Sequence, residues 1–219
     1  MPKPEIIGSS RSTYTRAVRM VCEEKGIEYR LSEAQLGAPE ILAIHPFGKM
    51  PVLRHGHVEL FESKAIATYL DRGFAGQAVF PSDPWLAALT EQWVSLVNTL
   101  MDRTLVRTYL LAYAAPKTAD GEPDRATIEA VVPALREQIR VLDKAVARTG
   151  CLVEDQFTYA DINLLPILFY IRLLPEGAEA LSAATHLASY YERHAARPSF
   201  ARTTPPQGPP SRAKPSQPL

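Results

Sequence analysis

The strongest constraint on this chain is a change of rhythm near residue 80. Through residues 1–73, short apolar runs alternate with helical periodicity. Beyond Phe80-Pro-Ser-Asp-Pro84 only helical periodicity remains. Glu5-Ile-Ile-Gly8 reads as a strand. The next segment carries Tyr14, Ala17, Val18, Val21 and Cys22, the stripe of an amphipathic helix, and Gly26 closes it as a cap. Residues 27–31 predict a second strand, and residues 39–44 a short helix with proline at a permitted early position. Residues 51–54 and 58–60 predict two strands joined by a turn at His55-Gly56. Residues 63–71 predict a third helix with Ala65, Ile66, Tyr69 and Leu70 inward. The order βαβ, α, ββα calls for one sheet with a parallel crossover half and an antiparallel hairpin half.

Downstream, residues 85–113, 125–148, 159–174 and 181–197 each read as helix, with Pro133 kinking the second or marking a late start. The stretch 159–174 is the most apolar and is expected at the centre of this second unit. Residues 203–219 hold six prolines in seventeen positions and predict a poorly ordered tail. The expected division is 1–79 for the α/β domain, 80–85 for the linker, 86–202 for the helical domain, and 203–219 for the tail.

Composition removes several classes of function. Lys+Arg and Asp+Glu are 24 each, so no bulk charge draws the chain to nucleic acid or to an anionic membrane. No apolar run approaches the ~20 residues of a membrane span, and Met-Pro-Lys-Pro-Glu5 opens no signal region. A cytoplasmic location is the expectation. The two cysteines, Cys22 and Cys151, form no CxxC pair, and the five histidines show no metal-ligand spacing. Cys22 falls on an apolar helix face. His55-Gly-His57 reads as a hairpin turn with two surface histidines.

Three segments carry chemistry. Ser9-Ser-Arg-Ser-Thr-Tyr-Thr15 crowds hydroxyls at the start of the first helix. It reads either as capping by Ser12 or Thr13, or as an anion site on the helix dipole. Met50-Pro51 sits where a loop becomes a strand and offers backbone groups beside a proline. Phe61-Glu62-Ser63 sits where a strand becomes a helix, another ready anion site. The last two segments look like halves of a pocket for a peptide-like anion.

The ordered set of motifs resembles the glutathione S-transferase family, serine-type and phi- or theta-like. Its fold joins a thioredoxin-like domain to an all-helical one. His45-Pro-Phe-Gly-Lys-Met-Pro-Val-Leu53 is similar to the family's Asn-Pro-Phe-Gly-Gln-Val-Pro-Val-Leu. Phe61-Glu-Ser-Lys-Ala-Ile66 is similar to its Phe-Glu-Ser-Arg-Ala-Ile. Phe157-Thr-Tyr-Ala-Asp161 matches its Ser/Thr-x-x-Asp capping box, and Tyr190-Tyr-Glu-Arg-His-Ala-Ala-Arg-Pro198 resembles its closing Trp-Trp-…-Ala-Arg-Pro. The resemblance implies glutathione as co-substrate and no metal. It implies a cis Pro51 that turns the Met50 backbone outward to pair with glutathione. Glu62 would meet the γ-glutamyl ammonium and Ser63 its carboxylate. Lys49 either meets a carboxylate of glutathione or is a solvated turn lysine. His45, in place of the family's Asn, is structural. Gln35-Leu-Gly-Ala38 lacks the family's basic residue for the glycyl carboxylate.

By the same resemblance Ser12 is the catalytic hydroxyl, donating to the thiolate of glutathione. Tyr14 is its rival and Ser9 and Ser10 rank lower. Asp161 takes a folding role. Phe47 either inserts into the second copy of a homodimer or packs within its own domain. A hydrophobic electrophile is expected along the helix after Trp85, where the stripe Asn98, Met101, Asp102, Leu105 and Tyr109 either lines its site or is plain core, with Arg11 as a further contact. Conjugation of glutathione is the leading reading. A maleylacetoacetate isomerase-like activity is the second, supported by Ser9-Ser-Arg-Ser12 and Val18-Arg19 and opposed by Glu62, where that class has Gln. A non-catalytic glutathione-binding protein is the third.

Overall fold

The computed structural model describes residues 2–116 and 118–206. Its sheet has the order β2-β1-β3-β4, with β1 Glu5–Ile7, β2 Arg30–Ser32, β3 Val52–His55 and β4 Val58–Phe61. β1 and β2 are parallel; β1 and β3, and β3 and β4, are antiparallel. The period-two alternation of strands decides which face each side chain takes. Ile6 and Leu53 are register partners and join the main core. Ile7 and Val52, one residue on, face the other way and pack on Ile41 of the short helix α2, Pro39–Leu42.

Helices α1, Thr13–Lys25, and α3, Ser63–Gly73, pack on each other against the main core. Gly26 ends α1 at φ 68°, as its C-cap position demands, donating to Cys22 and Glu23 carbonyls. The second strand is displaced from the expected 27–31, because Cys22 O accepts the Ile27 N–H and delays the extended segment. His55 is not at the surface: its ring nitrogens meet the Tyr69 hydroxyl at 2.8 Å and the Pro2 carbonyl at 2.9 Å, while His57 is exposed.

The helical region opens with α4, Pro84–Leu96, capped by Asp83. The expected single helix 85–113 then changes character. Residues Val97–Leu110 wind as a π-helix, closed by α5, Leu111–Ala114. α6, Arg125–Val146, continues as one helix across Pro133. α7, Tyr159–Ile171, is buried on nearly every side and occupies the centre. Its capping box is complete: Asp161 accepts the Thr158 N–H at 2.9 Å, and also the Leu152 N–H and the Tyr190 hydroxyl. The expected final helix 181–197 is instead divided between the end of α8, Pro175–Ala183, and α9, Thr185–Ala195, and a further helix, α10 Pro198–Thr203, follows.

The tail therefore begins later than residue 203. Thr203 is fully buried, and Thr204 accepts a hydrogen bond from Arg16 at 2.8 Å. Residues 207–219 lie outside those described. No helix among the described residues is long and apolar enough to cross a membrane.

Candidate active site

A cleft of about 1380 Å³ opens between the sheet domain and the helical domain. Three starts of secondary structure converge on it. The first is the N-terminus of α1. Gly8 precedes it because a Cβ there would stand 2.6 Å from Thr15 Oγ1. Ser12 is the N-cap in extended conformation, and its Oγ accepts the Thr15 N–H at 3.3 Å. No acceptor among the described residues takes the Ser12 O–H, so that proton is available to the cleft. The loop is held from two sides. Ser9 N–H reaches Met50 Sδ at 3.1 Å, and the Tyr170 hydroxyl of α7 donates to the Arg11 carbonyl at 2.7 Å.

Tyr14 also lines the cleft, but its chemistry differs. Burial, then the Asp102 carboxylate beside it, pushes the phenol far above the usual tyrosine range. It stays protonated and is drawn toward a carboxylate. Neither cysteine contributes: burial pushes the Cys22 thiol up to about 12 and Cys151 up to about 11, and both side chains lie in the core. A thiol nucleophile in this cleft has to arrive with a ligand.

The second start is the approach to β3. The Met50–Pro51 peptide is cis. The Met50 N–H and C=O have no hydrogen-bond partner among the described residues and border the cleft. Lys49 is exposed beside them. His45 is buried; its Nδ1 accepts the Phe47 N–H at 3.0 Å, which leaves Nε2 to face Glu62 Oε1 at 3.7 Å. The ring packs against Phe61 with centroids 4.9 Å apart. Its role is to shape the loop, as expected from the sequence.

The third start is α3. Glu62 precedes it at φ 67° and ψ 114°, a conformation unfavourable to a residue with a side chain. This backbone leaves the α3 N-terminus uncapped by any side chain, with Ser63 lining the cleft at 7% exposure. Free first-turn N–H groups and a hydroxyl thus share one spot, the donor set that holds a carboxylate. Glu62 supplies the opposite charge beside it, which suits an ammonium. A zwitterionic amino acid end fits this pair.

The opposite wall corrects the sequence reading. Met101, Leu105 and Tyr109 do not line the cleft. They are 1%, 0% and 0% exposed and belong to the core, with Val97. Asn98, Asp102, Val106 and Leu110 line it instead, flanked by Thr99, Arg103, Arg107 and Leu111. Each series advances by four residues. A π-helical turn is wider than the 3.6-residue turn on which the expectation rested, so the faces shift. Asp102 Oδ2 accepts the Arg107 Nε–H at 2.9 Å, five residues apart as this winding permits. Asn98, Asp102 and Arg11, named from the sequence for the second-substrate site, border the cleft.

Phe47 is 81% exposed, and its ring meets that of His45 edge-on with centroids 6.3 Å apart. It sits at the mouth of the cleft.

This convergence of an N-capped helix, a strand preceded by cis-proline and an uncapped helix start defines a thioredoxin-like binding domain fused to a helical one. Residues 6–78 match the family model for the glutathione S-transferase N-terminal domain, and residues 90–198 match that for its C-terminal domain. The chain is 31% identical to glutathione S-transferase 3 of Zea mays, covering 91% of this chain and 92% of that one. It is similar to the structure of glutathione S-transferase III in its apo form, with a TM-score of 0.82, 28% identity, and coverage of 95% and 100%. It is also similar to the theta class enzyme of Xanthomonas axonopodis pv. citri with glutathione bound, with a TM-score of 0.77, 27% identity, and coverage of 93% and 98%. The chain belongs to the glutathione S-transferase family.

Proposed function

We propose that this glutathione S-transferase binds glutathione along the sheet side of the cleft, stabilises its thiolate with Ser12, and joins it to an electrophile held against the π-helical wall. The observation that carries the reading is the unclaimed Ser12 O–H at the start of α1, on the same cleft as the uncapped start of α3. Ser63 and the first-turn N–H groups of α3 take the γ-glutamyl carboxylate, and Glu62 takes the ammonium. The Met50 backbone pairs with the cysteinyl unit as an added strand. Lys49 takes a carboxylate. These contacts direct the sulfur toward Ser12.

A free thiol has a pKa of ~8.5, so little thiolate exists at neutral pH. Lowering it by about two units requires ~2.7 kcal/mol in favour of the anion. A hydrogen bond to a charged acceptor contributes ~1.5–3 kcal/mol, and the helix N-terminus adds ~0.3–1 kcal/mol. The two suffice together. Ser12 itself forms no bond to substrate; the thiolate attacks the electrophile and expels a leaving group or adds across an activated double bond. Tyr14 is the weaker candidate because the Asp102 carboxylate beside it disfavours a second anion there.

The binding half is tested by thermal melting. Saturating glutathione should raise the melting temperature, and Ser63→Ala should remove most of the rise; a wild-type protein indifferent to glutathione contradicts the reading. We also read the protein as a homodimer in which Phe47 inserts into the second copy, since Phe47 and Leu36, 81% and 68% exposed, leave two large apolar side chains bare on the same cleft. Sedimentation should show a dimer that Phe47→Ser weakens.

A further inference from the structure

Six charged side chains border the cleft: Arg11, Lys49, Arg103 and Arg107 against Glu62 and Asp102. The excess is positive, although the chain as a whole has no net charge. Lys49 and Glu62 stand on the sheet side with the ends of glutathione. Arg103 and Arg107 stand on the opposite wall, four residues apart on the π-helical stretch. Arg103 forms no ion pair or side-chain hydrogen bond among the described residues. Arg107 is held through Nε by Asp102, which orients its guanidinium while leaving the Nη groups unpaired among the described residues. Around them the wall is apolar, from Val106, Leu110 and Leu173.

A pair of guanidinium groups one turn apart beside apolar side chains is a fork for a carboxylate or a similar planar anion on an apolar body. We infer that the electrophile of this enzyme carries an anionic group, held by Arg103 and Arg107, with its apolar part against Val106 and Leu110. This rests on the reading of the cleft as a glutathione transferase site and names the class of acceptor that site takes.

Calorimetric binding of two S-substituted glutathiones tests it: S-(4-carboxybenzyl)glutathione and its methyl ester. The two share the glutathione part and differ in one charge. The acid should bind about tenfold more tightly than the ester. The preference should collapse toward unity in Arg103→Gln, survive in part in Arg103→Lys, and reverse in Arg103→Glu. Half-molar salt should shrink it, because exposed charges are screened at that strength. Equal binding of acid and ester by the wild type overturns the inference and leaves the transferase reading standing, as does an unchanged preference in Arg103→Gln. Failure of both conjugates and of glutathione itself to bind removes the transferase reading and the inference with it.

Discussion

Ser12 does two jobs with one oxygen: its lone pair caps α1 and its proton faces the cleft. The two can be separated by mutation. Ser12→Ala should cost about 1 kcal/mol of stability, the ordinary loss of a cap, and should slow conjugation by about two orders of magnitude while glutathione still binds. Tyr14→Phe should slow it far less, because the Asp102 carboxylate beside that hydroxyl disfavours a thiolate there. Steady-state rates and melting curves on both variants check this. Ser12, Met50 and Ser63 were legible in the sequence because each depends on local order: a cap before a helix, a residue before proline, a residue opening a helix. The backbone angle of Glu62 was not legible, since nothing in Phe61-Glu62-Ser63 requires a positive φ there.

Among the elements, the π-helical wall decides which side chains meet the second substrate. Leu105 and Leu111 stand on the same wall with opposite duties, one fully buried and the other exposed on the cleft. Leu105→Ala should destabilise the fold by about 2–5 kcal/mol, as a buried leucine does, and leave the choice among electrophiles unchanged. Leu111→Trp, at a side chain 36% exposed on the cleft, should cost little stability and exclude bulky electrophiles by filling the cleft. Melting temperatures and relative kcat/KM over a panel of small and bulky electrophiles distinguish the two. A cleft lined by Leu105 would give the reverse pattern. The helix itself was legible from residues 85–113, but its faces were not. Apolar spacing at 97, 101, 105 and 109 is compatible with an ordinary helix; only backbone winding, settled by packing on α6 and α7, fixes a four-residue step. The splitting of the last helix was equally hidden, although Pro175 and Pro198 stand at the starts of α8 and α10.

At the scale of the molecule, one polar anchor joins the cleft's two halves and another braces its helical wall, and neither was foreseen. Arg16, fully buried, lies between the rings of Phe169 and Phe200 at 4.6 and 4.0 Å and donates to the Phe200 carbonyl. It ties α10 to the helix that carries Ser12. Glu176 gathers the far end of the wall, accepting from Tyr109, Tyr113 and Arg125. Burial opposes its charge, but these donors and its helix N-terminus prevail and lower it to about 2. A depressed carboxylate pKa stabilises the fold above the ordinary value of 4.5, and that stability is lost as pH falls toward 2. Glu176→Gln should therefore melt lower at pH 7, by a margin worth about 1–3 kcal/mol, and show a flatter decline between pH 5 and pH 3 than the wild type. Such anchors join residues more than 50 apart, which no local pattern announces. The account as a whole turns on activation of the bound thiol by Ser12. Ultraviolet titration of glutathione bound to the protein should show thiolate forming about two units below the free thiol, and Ser12→Ala should return it to the free value. A bound thiol that titrates like free glutathione in the wild type, or a lowered pKa that survives Ser12→Ala, would contradict it.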